Sequence, residues 1–155
     1  MIETPRIVET DTQPVALLHL TVPASEIQKV MIPGLNEVKA AVAAQGVAEA
    51  GPWFTHHLRA PKDTFDFEIG VPVAAPIKAS GRVQTGVWPT MKVARTVYHG
   101  DYSGLGAGWG ELEAWIVKSG YKTGADLWER YLTGTEVGPD PSKWQTELNR
   151  PLAGL

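Results

Sequence analysis

A helical apolar stripe, a glycine and a short aromatic strand occur in that order twice in this sequence. In the first half Leu35, Val38 and Val42 recur at helical spacing, Gly46 follows where a helix end takes a left-handed residue, and Gly51-Pro52-Trp53-Phe54-Thr55-His56-His57-Leu58 reads as a strand, of which Phe54 to Leu58 is the repeated part. In the second half the same signals are Leu105, Trp109, Leu112 and Ile116, then Gly120, then Trp128-Glu129-Arg130-Tyr131-Leu132, with the strands offset by 74 residues. A further match, Glu68-Ile69-Gly70-Val71-Pro72-Val73 with Glu147-Leu148-Asn149-Arg150-Pro151-Leu152, lies at an offset of 79. Both offsets are near half of the 155 residues. The pattern predicts an α+β chain built from a duplicated strand-helix-strand-strand module. It implies a pseudo-twofold antiparallel sheet with two main helices on one face and a ligand cleft on the other. The expected organisation is one domain over 1–155, made of repeats at about 1–75 and 81–155.

The remaining elements follow from local chemistry. Pro14 to Val22 is a short apolar run bounded by prolines, a strand. Ser25-Glu26-Ile27-Gln28 has the spacing of a capping box, with Pro33 expected to interrupt or restart the helix that begins there. Phe65, Phe67, Ile69 and Val71 alternate with Asp66, Glu68 and Gly70, a strand with one buried face. Pro72 to Gly81 reads as a connector. Val83 to Tyr98 is strand-like on both sides of Pro89, which implies a bulge, an edge position or two short strands. Gly100 to Gly104 is a turn, and Asp126 to Leu132 and Trp144 to Leu152 are the strands that follow the second helix.

Composition removes several chemistries. Without cysteine there is no disulfide, zinc-thiolate site, thiol nucleophile or iron-sulfur cluster. Fourteen Lys and Arg against seventeen Asp and Glu leave a charge of −3, well mixed and without a basic run, so no footprint for nucleic acid is expected. Met1-Ile2-Glu3-Thr4-Pro5-Arg6 carries acid where a signal peptide carries base, and no stretch approaches about 18 apolar residues. A cytoplasmic protein without membrane contact is the expectation. His56 and His57 point to opposite faces of a strand and no His-Glu-x-x-His spacing occurs, so no metal site is expected. No Gly-x-Ser-x-Gly elbow is present either. Gly104-Leu105-Gly106-Ala107-Gly108-Trp109-Gly110 lacks the nucleotide-binding spacing, and close approach of backbone to a strand or ligand explains it better. No cofactor is implied.

On a strand, Glu129 and Tyr131 point one way and Trp128, Arg130 and Leu132 the other. Bulk suits Trp128 and Leu132 to the helix side, which sends Glu129 and Tyr131 to the open face, and the repeat places Thr55 and His57 to match. Glu129 on the helix-covered side would contradict a binder built on this open-face cleft. Two readings of the pair stand: a solvated carboxylate with a partly buried tyrosine, or a cleft. Tyr98 and Tyr102 flank His99-Gly100 at a strand end, and Trp53 and Trp88 are expected to reach the same face, whereas Trp109, Trp115 and Trp128 read as core. Aromatic rings with one carboxylate suit an organic cation. The same carboxylate beside a phenol could also serve acid-base chemistry.

These residues resemble the GyrI-like small-molecule-binding proteins, related to the effector domains of AraC-type and BmrR-type bacterial multidrug regulators. The resemblance rests on Phe65-Asp66-Phe67-Glu68-Ile69-Gly70-Val71-Pro72-Val73, Val97-Tyr98-His99-Gly100-Asp101-Tyr102, Trp128-Glu129-Arg130-Tyr131-Leu132, and Asp140-Pro141 through Trp144-Gln145-Thr146-Glu147 to Pro151-Leu152. It implies the duplicated module, a ligand cleft between the halves, a cleft acid matching Glu129 and an aromatic partner matching Tyr131. His56-His57 stands where relatives often place a tyrosine. The regulators carry a helix-turn-helix domain and this chain opens on its first strand, so direct transcription control is not expected. The resemblance leaves three functions open: a binder of lipophilic, often cationic compounds, a hydrolase opening cyclopropane rings of electrophilic natural products with Glu129 and Tyr131, and, by analogy alone, an interaction protein that inhibits DNA gyrase. In the first, His57, Thr55, Trp53, Trp88, Tyr98, His99 and Tyr102 shape the walls around Glu129 and Tyr131.

Overall fold

The computed structural model describes residues 2–59, 62–133 and 140–154. In chain order its elements are β1 (Arg6–Glu9), β2 (Gln13–Pro23), α1 (Ile27–Ala44), β3 (Phe54–His57), β4 (Thr64–Pro72), β5 (Gln84–Trp88), β6 (Lys92–His99), α2 (Leu105–Lys118), β7 (Lys122–Thr123), β8 (Leu127–Thr133) and β9 (Gln145–Ala153). The strand pairs within each unit are antiparallel, and the chain is α+β as the repeat predicts.

Two compact units form, Asp11–Thr90 and Met1–Thr10 with Met91–Leu155. In the first, strands run β3-β4-β2-β5 and α1 packs on β2 and β4. Its core joins Leu35, Val38 and Val42 of α1 to Ala16, Leu18, Phe67, Ile69 and Val71 of the sheet. In the second, strands run β8-β9-β6-β1, with β7 on β9, and α2 packs on β6. Its core joins Leu112 and Ile116 to Ala94, Tyr98 and Leu148. The modules β2-α1-β3-β4 and β6-α2-β8-β9 therefore share one topology. Each gains an outer strand from beyond its own segment: β5 follows the first module and pairs with β2, while β1 lies at the start of the chain and pairs with β6.

Both helices end alike. After α1, Gly46 at φ +69° donates its N–H to Ala43 at 3.0 Å and Val47 donates to Val42 at 3.3 Å. After α2, Gly120 at φ +83° donates to Val117 and Tyr121 to Ile116, both at 3.1 Å. This is the Schellman arrangement in both repeats, and the positive φ is what requires glycine. Gly34 and Gly108, 74 residues apart, also match: a Cβ would meet Ile69 at 2.6 Å or Tyr98 at 3.0 Å, so each lets its helix approach the sheet. Of the glycines near the start of α2, Gly104 and Gly108 lie over Tyr98, while Gly106 and Gly110 face open space.

Two local expectations are corrected. Ser25 does not cap a helix, because it lies inside a 3-10 turn (Ala24–Glu26), where the extended backbone of an N-cap is not available. α1 begins at Ile27 without a side-chain cap bond. Pro33 neither stops nor restarts α1, which runs through it. An interior proline costs about 3 kcal/mol. Its ring is exposed, and the burial of Gly34, Leu35, Val38 and Val42 beyond it offsets the loss. Around Pro89 the chain forms two separate strands, β5 and β6. Among the described residues, no helix is long and apolar enough to cross a membrane.

Candidate functional site

Register fixes the direction of β8. Glu129 stands opposite Leu148 and Tyr131 opposite Thr146 on β9, and those two stand opposite Thr96 and Tyr98 on β6. Directly opposed residues share a face. Leu148, Tyr98 and Ala94 pack against α2, so Glu129 and Tyr131 lie on the helix-covered face, not on the open one. The expectation failed because bulk does not distinguish these faces: Trp128 is buried on the reverse face, together with Val93 and Asn149. In the other unit Thr55 and His57 stand opposite Ile69 and Phe67, so they too are on the helix-covered side.

A side chain from α2 completes the arrangement around Glu129. Trp109 Nε1 donates to Glu129 Oε2 at 2.7 Å, and Tyr131 Oη donates to Oε1 at 2.8 Å. Glu129 keeps only 8% of its exposure. Its two donors are neutral, and among the described residues no Lys, Arg or His is ion-paired with it. The Tyr102 ring stands edge-on to Tyr131 at 6.1 Å and tilted against Trp144 at 5.2 Å. Tyr102 itself is 41% exposed, so the aromatic group reaches solvent through it. Asp101 holds the turn that presents Tyr102: its carboxylate accepts from the Ser103 N–H at 2.8 Å and from the Ser103 hydroxyl. Those bonds hold the Asp101 carboxyl below its ordinary value.

Glu129, Tyr131 and Tyr102 are thus brought together, and Trp109 and Trp144 join them. The sequence assigned Trp109 to the core because it occupies the apolar slot that Leu35 fills in the other repeat. The available signal was its indole N–H, which needs an acceptor when buried. Tyr98 shares the face but supports α2, with its hydroxyl donating to the Asp101 carbonyl at 2.8 Å. His99 lies on the reverse face, with Nε2 2.7 Å from Glu3. Trp88 does not reach the face of Thr55 and His57. It lies on the reverse side of its own sheet, edge-on to Phe54 at 5.3 Å, because it is paired with Gln13 and not with an even-numbered residue of β2. Trp53 packs against the α1 core. His57 stacks on Phe67 at 5.4 Å, meets Phe65 edge-on at 5.6 Å and has Nε2 3.5 Å from Thr55 Oγ1. Among the described residues, no group of three or more His, Asp or Glu could hold a metal ion.

The arrangement offers a carboxylate fixed by two donors beside several aromatic faces, with the phenol proton directed at the carboxylate. Several solved structures share the fold. The EcmrR C-terminal domain is 21% identical with a TM-score of 0.86, covering 98% of both chains. In an EcmrR–DNA complex the TM-score is 0.82 at 22% identity, and the match covers 96% of this chain but 57% of that longer one. SAV2435 bound to tetraphenylphosphonium matches at TM-score 0.65 and 12% identity, covering 98% of this chain and 95% of that one. A hydrolase from Listeria innocua matches at 0.68 and 10%, covering 96% and 91%. Among curated proteins, none matches. Residues 3–153 match the model of the GyrI-like small molecule binding domain, and the chain belongs to that family.

Proposed function

We propose that this small-molecule-binding chain takes lipophilic organic cations on the helix-covered side of β8. In this reading it acts as a cytoplasmic binder, with Glu129 supplying charge and Trp109, Tyr131, Tyr102 and Trp144 supplying aromatic surface. The observation that carries the reading is the buried Glu129 carboxylate held by neutral donors alone. Removing a carboxylate from water costs several kcal/mol unless a positive group repays it, so the position favours a ligand that brings one. A cation over an aromatic face adds about 0.5–2 kcal/mol. The tetraphenylphosphonium bound to the similarly folded SAV2435 is a ligand of this chemical class.

The test is calorimetric titration of wild type and Glu129→Gln with tetraphenylphosphonium and with neutral triphenylphosphine oxide. The reading expects the cation to bind wild type at least tenfold more tightly than the neutral compound, with that preference lost in Glu129→Gln. Equal affinity of both proteins for the cation contradicts it.

The hydrogen bond from Tyr131 to Glu129 also supports a second reading. In it, water adds across the strained bond of a cyclopropane-bearing electrophile, hydroxyl to one carbon and a proton to the other. Tyr131 and Glu129 would move the protons. The similarly folded Listeria innocua protein is named a hydrolase. Turnover no faster than that of a Glu129→Gln, Tyr131→Phe double variant removes this reading.

A further inference from the structure

The reverse face of the β8-β9-β6-β1 sheet concentrates positive charge. Arg6 of β1 stands directly opposite Arg95 of β6, Arg95 opposite Asn149 of β9, and Asn149 opposite Trp128 of β8. The next row is Val97, Glu147 and Arg130. Glu147, 5% exposed, accepts from Arg130 Nη2 at 2.9 Å and from Asn149 Nδ2 at 3.0 Å, and lies 3.4 Å from Arg95 Nε. Arg95 Nε donates to Asn149 Oδ1 at 2.6 Å. One carboxylate is therefore shared by two guanidiniums, and Arg6 adds a third.

Like charges directly opposite each other on a sheet are unfavourable. Burial lowers the Arg95 pKa, and Arg130 and Arg6 lower it further, while Glu147 opposes them. Glu3, the next carboxylate along this edge, is engaged by His99. Among the described residues, no carboxylate pairs with Arg6 and no hydrogen bond engages the Nη atoms of Arg95. Two guanidiniums side by side with free donors suit an oxyanion, whose oxygens accept paired N–H groups in the plane of each fork.

We propose that Arg6 and Arg95 form an oxyanion site, on the sheet face opposite Glu129, that takes the phosphate or carboxylate group of a ligand. The anion bridges the two strands and replaces a repulsive pair with two attractive ones. The experiment follows the Arg Nε–Hε resonances by NMR during titration with inorganic phosphate, acetate or chloride at constant ionic strength. Wild type and Arg6→Gln are compared, and unchanged backbone amide spectra report that the variant is folded. Saturable movement of the Arg95 signal with phosphate or acetate, weakened at least tenfold in Arg6→Gln, supports the site. Phosphate alone identifies a phosphate group, and acetate alone a carboxylate. Movement that chloride reproduces, or that Arg6→Gln retains, overturns the proposal. The readout needs no cationic ligand and stands apart from the function proposed above.

Discussion

Glu129 exchanges water for one indole and one phenol. A hydrogen bond to a charged group contributes about 1.5–3 kcal/mol, so Trp109→Phe should destabilise the protein by that amount in urea unfolding. In a Glu129→Gln background the same substitution should cost about 1 kcal/mol. A double-mutant cycle with no coupling contradicts the pairing. Glu129→Gln alone should leave the ligand-free midpoint unchanged or raise it, since an uncompensated buried carboxylate is costly. The pairing of Glu129 with Tyr131 was legible from their two-residue spacing. Trp109 was not, because a helical apolar slot reads the same whether its side chain packs or donates.

The glycines at the start of α2 separate helix propensity from packing. Gly110 faces open space, so Gly110→Ala should stabilise by about 0.5–1 kcal/mol. Gly108→Ala must push a methyl against the Tyr98 ring and should destabilise by about 1–3 kcal/mol. Thermal or urea unfolding checks both signs. The turn before α2 carries a pH dependence. Asp101 has a folded pKa below its ordinary value of 3.8, through its bonds from Ser103. Its contribution is present above that value and is lost as pH falls through the lower folded one. Asp101→Asn, which keeps an acceptor without titrating, should flatten the fall in melting temperature below pH 4. An unchanged slope would contradict the assignment. Helix positions and their terminal glycines were legible because 3.6-residue periodicity and left-handed caps leave sequence marks. The passage of α1 through Pro33 was not, since it depends on burial further along the helix.

At the scale of the molecule, the duplication was legible because both modules use the same stripe, cap and strand. The placement of β1 was not: Arg6–Glu9 is a four-residue strand with both ends exposed, and it pairs with β6 of the distant module. Removing residues 1–10 should therefore speed amide hydrogen exchange along β6 and leave β2 protected. Which face of β8 carries Glu129 was also illegible, because Trp128 and Glu129 are both buried on opposite faces. That facing decides where a ligand can sit, so the most direct measurement is intermolecular nuclear Overhauser contact in the complex with tetraphenylphosphonium. The account predicts contacts from the phenyl protons to Trp109, Tyr131 and Tyr102. Contacts to Trp128 and Val93 instead, with none to Trp109 or Tyr131, would place the ligand on the reverse face and contradict it.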